Sequence, residues 1–163
     1  MARKTKEEAL ETRERLLDAA ENVFRERGVT RTSLAEVATA AGMTRGAVYW
    51  HFKDKADLFN AMMERVTLPL EESMACAGAN ARVSDDPLHI LRDSLKEALH
   101  KTATDEQMRR VFEIATHQVE YNDEMHAVRE RHLRVRNDCV KQTALVLQSA
   151  AHQQGLKLNM PFA

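Results

Sequence analysis

Apolar residues recur at spacings of three, four and seven along nearly the whole chain, and no segment alternates with period two over the length of a strand. The pattern predicts an all-α fold. Leu16, Leu17, Ala20, Val23 and Phe24 form the stripe of a first helix, roughly Glu8 to Arg27, and Gly28 follows where a left-handed cap is expected. Ser33 with Glu36 three residues later spells a capping box for a short second helix, whose buried face is Leu34, Val37, Ala38 and Ala41. Gly42 closes that helix, and only Met43 separates it from Thr44, whose hydroxyl is placed to cap a third. In the third helix Val48 and Phe52, four apart, face inward and leave Arg45, Gly46 and Tyr49 outside.

Asp54 and Asp57 restart the chain as a fourth helix, with Leu58, Met62 and Val66 spaced by four and Pro69 expected to kink or end the regular run. Periodicity is lost between Cys76 and Asp86, a predicted loop. Asp86-Pro87 is a helix start, because proline at the first helical position forfeits no hydrogen bond. Leu88, Leu91, Leu95 and Ala98 then give a fifth helix its inner face. A sixth begins near Asp105 with Met108, Val111, Phe112, Ala115 and Val119 inside, and a long seventh runs from Asn122 or Asp123 to about Gln154. The natural partition is a small three-helix head over residues 1–56 and a larger helical body over residues 57–163, joined by the fourth helix at about 54–76.

Composition narrows the function classes. Three prolines and five glycines in 163 residues are too few for a disordered or turn-dense β protein. No apolar run approaches the ~20 residues that cross a bilayer, and the basic start is not followed by a signal-peptide core, so a soluble cytoplasmic protein is expected. Cys76 and Cys139 have no Cys-x-x-Cys spacing and are expected as free thiols. The net charge of −1 favours no nucleic acid, but its distribution does. Arg3, Lys4 and Lys6 make a basic arm, and Arg31, Arg45, Lys53 and Lys55 outnumber Glu36 and Asp54 between Gly28 and Ala56.

Two short helices on a tight turn can form a helix-turn-helix, in which the second helix enters the major groove. Arg45 has the fork that matches guanine O6 and N7, Gly46 permits close approach, and Thr44 and Tyr49 carry hydroxyls suited to phosphates. His51 and Lys55 would hold the opposite flank; Thr32, Ser33, Lys4 and Lys6 complete the candidate DNA-binding set. Trp50 fits either a wedge between the first and fourth helices, the favoured setting, or a phosphate contact. Short helices on glycine turns also occur in proteins that never touch DNA, so geometry leaves both readings open.

The residues Ala2-Arg3-Lys4-Thr5-Lys6-Glu7-Glu8, Thr12-Arg13, Leu16-Leu17-Asp18-Ala19-Ala20, Gly28-Val29, Thr32-Ser33-Leu34, Ala41 through Phe52 and Lys55 resemble the TetR family of bacterial repressors. The run ending Tyr49-Trp50-His51-Phe52 is most similar to the AcrR-type regulators of multidrug efflux pumps; the body from Asp86 to Gly155 resembles them more weakly. The resemblance implies an N-terminal DNA-binding domain, a C-terminal ligand-binding and dimerisation domain, and release from a palindromic double-stranded operator by a small hydrophobic inducer. If the packing follows it, Leu91, Leu95, Phe112, Thr116, Cys139 and Thr143 line the ligand site, with Met62 and Met63 as a compliant wall. A shift of the fourth helix over Leu58 to Val66, the one continuous link between body and head, would carry the signal.

The body's histidines include no i,i+4 pair that would place two on one face for a metal, although Glu113–His117 and His126–Glu130 have the spacing of ion pairs. No nucleophile motif or phosphate loop accompanies them, so neither an enzyme nor a cofactor is expected. Family members usually continue with two further helices that build the dimer interface. The expected homodimer is therefore in question for this chain, whose sixth and seventh helices would be left with bare apolar surface. The competing reading is a helical small-molecule-binding or interaction module with weak DNA affinity.

Overall fold

The computed structural model describes residues 6–120 and 122–157, and all its regular elements among these are helical. They are α1 (Lys6–Arg27), α2 (Leu34–Ala40), α3 (Arg45–His51), α4 (Lys55–Asn80), α5 (Pro87–Thr104), α6 (Glu106–His117), a 3-10 turn at Asp123–Met125, and α7 (His126–Gln153). The contacts divide the chain into two compact units. One joins the chain up to Arg65 with Glu106–Glu130; the other joins Val66–Asp105 with the chain from Arg131 onward. This division cuts the chain elsewhere than residue 56, because α6 packs against α1.

In the first unit the periodic residues go where their spacing predicts. Leu16, Leu17, Ala20 and Phe24 of α1 are fully buried with Val37 of α2, Val48 of α3 and Leu58, Phe59 and Met62 of α4. The Phe24 and Phe59 ring centroids lie 6.2 Å apart. Val111 and Ile114 bring α6 into the same unit. Beside this apolar core sits a charged hub. Arg65 of α4 reaches Glu14 at 3.0 Å, Asp18 at 2.8 Å and Glu21 of α1. Gln107 of α6 donates to Glu21 at 3.0 Å, and Arg110 lies 3.9 Å from its other oxygen. Burial works against the Arg65 charge, but the three carboxylates outweigh it and hold its pKa above the usual arginine value.

The caps are those the sequence specifies. Gly28 turns the chain out of α1 at φ 80°. Glu36 donates its amide to the Ser33 hydroxyl at 3.3 Å while its carboxylate accepts the Ser33 amide at 2.8 Å, a complete capping box. The Ser33 amide and hydroxyl, aided by Arg27 at 3.2 Å, hold the Glu36 carboxyl below its ordinary 4.5. Gly42, at φ 68°, ends α2 as Met43 donates back to the Ala38 carbonyl at 2.8 Å. Thr44 caps α3, its hydroxyl accepting the Ala47 amide at 3.3 Å.

The second unit departs from the periodic expectation in three places. First, α4 does not end at Pro69 but runs on to Asn80, past residue 76. A proline inside a helix costs about 3 kcal/mol. Here the Arg65 ion pairs pin the turn before it, and Arg131 pins the turns around it through Thr67 at 3.1 Å and Glu71 at 2.9 Å. Second, the expected loop begins as helix, because Ala77, Gly78 and Ala81 are buried where α7 approaches closely. An added Cβ on Gly78 would lie 1.9 Å from Gln142 Oε1, and Ser149 donates to the Ala81 carbonyl at 2.6 Å. Third, of the apolar positions assigned to the inner face of α5, Leu91 is buried with Ala77, Ala81 and Val146, whereas Leu88 and Leu95 are exposed.

Smaller shifts follow from local chemistry. Asn122 caps the 3-10 turn by accepting the Met125 amide, so α7 begins only at His126. Val119 lies beyond the end of α6 and is half-buried. Large apolar side chains are bare on α5 and on α7 at Val140 and Leu147; those of α6 are buried or half-buried against its own unit. No helix among the described residues is long and apolar enough to cross a membrane.

Two measurements check this account. Arg65→Met leaves the buried Glu21 carboxylate without its main partner, and is expected to lower stability by about 3 kcal/mol in urea denaturation. The stabilisation from the Glu36 carboxylate is fully present above pH 4.5 and is lost as pH falls through its lowered folded value. The urea midpoint of Glu36→Gln should therefore lie below that of the parent protein at pH 7 and converge with it in acid.

Candidate nucleic-acid interface

The third helix is seven residues long and divides cleanly into two faces. Val48 and the capping residue Phe52 are 0% and 1% exposed and fasten it to the first unit. Arg13 of α1 stacks over the Phe52 ring at 5.1 Å, and Arg15 donates to the Ala41 carbonyl at 3.1 Å, at the negative end of α2. Both short helices are thus clamped by α1 from behind. The opposite face presents Thr44, Arg45, Gly46, Tyr49 and Trp50.

Within that face, the Arg45 guanidinium lies 5.5 Å from the Tyr49 ring centroid, a cation–π contact that limits the wandering of a long side chain. Gly46 has open space around it: a Cβ added there would come no closer than 3.9 Å, to Thr44 Oγ1. Packing does not require a glycine in this helix, where it costs about 1 kcal/mol relative to alanine. Close approach by something outside the protein would require one. Trp50 is 72% exposed, its ring edge-on to His51 at 4.6 Å, so it is not a wedge between the first and fourth helices. Its position was readable from the helix: with Val48 and Phe52 inward, residue 50 falls on the far side from both.

Two candidate DNA contacts are corrected. Lys55 is buried, its ammonium 3.1 Å from Glu124 and donating to the Thr30 carbonyl at 3.0 Å, so it cannot also hold a phosphate in this conformation. Thr32 is buried and donates its hydroxyl to the Gly28 carbonyl at 2.8 Å. Ser33 is exposed but engaged by Glu36; Lys6 is exposed at the start of α1, and Lys4 lies outside the described residues. His51 is half-buried between Trp50 and Phe52. Arg31 and Lys53, exposed cations of the basic segment between Gly28 and Ala56, line an open groove of about 410 Å³ with Ser33 and Tyr49.

The expected ligand-lining residues are split between the units. Met62, Met63, Phe112 and Thr116 belong to the first, where Met62 is fully buried core and Thr116 is exposed with its hydroxyl on the Phe112 carbonyl. Leu91, Leu95, Cys139 and Thr143 belong to the second. There α4 and α7 border an open groove of about 440 Å³, lined by Met74, Val135, Cys139 and Gln142 with Glu71, Glu72 and Asp138 at its polar side. Cys139 lines it, while Thr143 turns its hydroxyl to the Cys139 carbonyl at 2.8 Å. Burial, with the nearby Glu71 and Asp138 charges, pushes the Cys139 thiol up from its ordinary value, so it is a weak nucleophile at neutral pH. Among the described residues no three His, Cys, Asp or Glu side chains gather as a metal would require.

Residues 16–62 match the family model of bacterial regulatory proteins, tetR family, and residues 86–162 match that of the MAATS-type transcriptional repressor C-terminal region. The HTH-type transcriptional regulator AcrR of Shigella flexneri is 43% identical over 152 residues, covering 93% of this chain and 68% of that protein. The HTH-type transcriptional repressor BepR of Brucella suis is 48% identical over 137 residues, 83% of this chain and 64% of that one. Among solved structures, NalD, the secondary repressor of the MexAB-OprM multidrug efflux pump in Pseudomonas aeruginosa, superposes with a TM-score of 0.74 at 41% identity, over 84% of this chain and 66% of its own. SmeT of Stenotrophomonas maltophilia, in complex with triclosan, superposes with a TM-score of 0.78 at 32% identity, over 93% and 70%. The chain thus spans between 64% and 70% of the length of these four relatives. A clamped helix-turn-helix with a polar outward face, joined to a body matched along most of its length, makes this chain a member of the TetR family of bacterial regulatory proteins.

Proposed function

We propose that this protein is a transcriptional repressor of multidrug efflux genes, which binds a palindromic DNA operator through α3 and leaves it when a small apolar or aromatic compound binds the body. The observation that carries the DNA-binding half is the outward face of α3. Arg45, Gly46, Tyr49 and Trp50 stand clear of a helix whose other side is buried, and the glycine among them has no packing partner to justify it. In this reading residues 1–56 are the DNA-binding domain and residues 57–163 the regulatory one. Arg45 reads a guanine, Gly46 lets the helix settle into the groove, and Tyr49 with Thr44 and the nearby Arg31 and Lys53 hold phosphates.

The efflux role rests on relatives such as NalD, and the ligand class on SmeT with triclosan. The groove beside Met74, Val135 and Cys139 offers such compounds an apolar wall, faced by the polar side chains of Glu71, Glu72, Asp138 and Gln142. A palindromic operator calls for two copies of the head, and hence for a homodimer acting in the cytoplasm, where the chromosome is.

Selection of bound sequences from random duplex DNA tests this directly. Arg45→Ala is expected to relax the preference at one guanine position per half-site by about 1–3 kcal/mol. Gly46→Ala should act with opposite signs on two measurements: helix stability unchanged or raised by up to about 1 kcal/mol, DNA affinity reduced. Equal base preference in the parent and Arg45→Ala proteins would refute the base-reading role.

A further inference from the structure

The stretch from Gln118 to Ala127, where α6 gives way to α7, is fastened to residues 29–60 of the same unit at three points, and the middle one is ionic. The Val29 amide donates to the Gln118 carbonyl at 2.9 Å, and Asn60 Nδ2 donates to the Ala127 carbonyl at 3.3 Å. Between them Lys55 Nζ stands 3.1 Å from the Glu124 carboxylate and 3.0 Å from the Thr30 carbonyl oxygen. The side chain of Lys55 is 8% exposed and that of Glu124 is 52% exposed. A nearly buried ammonium needs a compensating charge, and the carboxylate that supplies it comes from the turn that begins α7.

The place of Lys55 in the chain gives this pair its leverage. It is the first residue of α4, three positions after Phe52, the buried cap that anchors α3. Its second partner, Thr30, lies in the turn that runs from Gly28 to the Ser33 cap of α2. One ammonium therefore ties together the end of the recognition helix, the entry to α2 and the start of α7. Further along the same α7 helix stand Val135, Asp138, Cys139 and Gln142, which line the groove of the second unit. Helix α7, like α4, has residues in both units.

We infer that Glu124 is a positioning residue for DNA binding: by holding Lys55 against the Thr30 carbonyl, it fixes the two short helices on α4 and makes the first turns of α7 a second path by which the body governs the head. The inference rests on α3 being the DNA-contacting helix. It makes a prediction opposite in sign to simple electrostatics. An acidic side chain that merely lay near DNA would, once neutralised, strengthen binding. Neutralising a latch weakens it.

The test uses the full chain, a duplex recovered by selection from random DNA, and the variants Glu124→Gln, Lys55→Gln and their combination. Glu124→Gln is expected to weaken DNA binding about tenfold, the loss of a charge-assisted bond, without lowering the salt slope. It should also speed amide hydrogen exchange at Val29 and Thr32 in the protein without DNA. The double variant should bind no more weakly than the weaker single, since the two side chains act through each other. Tighter or unchanged binding by Glu124→Gln overturns the inference, as does unchanged exchange. A parent protein that retains no duplex, together with faster exchange in Glu124→Gln, overturns the DNA-binding reading and leaves the latch standing.

Discussion

Arg65 draws three carboxylates of α1 onto one guanidinium of α4, and through Glu21 it reaches Gln107 and Arg110 of α6. Three helices that are far apart in sequence are thereby set at a fixed distance and rotation. The apolar core alone would not set them, since Leu16, Phe24, Phe59 and Val111 contribute area without direction. A planar guanidinium whose two terminal nitrogens meet three carboxylates supplies direction, and removing it leaves the nearly buried Glu21 short of compensation. Everything downstream inherits that placement: α1 carries Arg13 and Arg15 to the backs of α3 and α2, and α4 carries Lys55 to the turn before α2.

The recognition element itself is small, and most of its residues serve to hold it. Of the stretch from Thr44 to Phe52, Thr44 caps, Val48 and Phe52 anchor, and His51 is half-buried. Arg45, Gly46, Tyr49 and Trp50 are exposed. A helix of seven residues has little stability of its own. Its outward face can be given over to recognition, including a glycine that weakens it, because clamping from behind supplies the order.

What could be read from the sequence was what is local. Gly28, the Ser33–Glu36 box, Gly42 and Thr44 each settle their own turn by hydrogen bonds within a few residues, and the i,i+4 pair Val48–Phe52 settles the orientation of α3. The misreadings arose where a distant residue decides. Lys55 looks like a phosphate contact until Glu124 is placed beside it. Pro69 looks like a helix end until Arg131 is seen to hold the turns around it. Leu88 and Leu95 have the same period as buried residues, but a period tells which side chains share a face, not what covers that face.

The central claim is that the exposed face of α3 lies in the major groove of DNA. Methylation interference on a selected duplex tests it, because guanine N7 lies in the major groove and adenine N3 in the minor groove. The account predicts that N7 methylation at discrete guanines, symmetric about the site's centre, abolishes binding. Binding that is indifferent to N7 methylation but blocked by methylation at adenine N3 would contradict it.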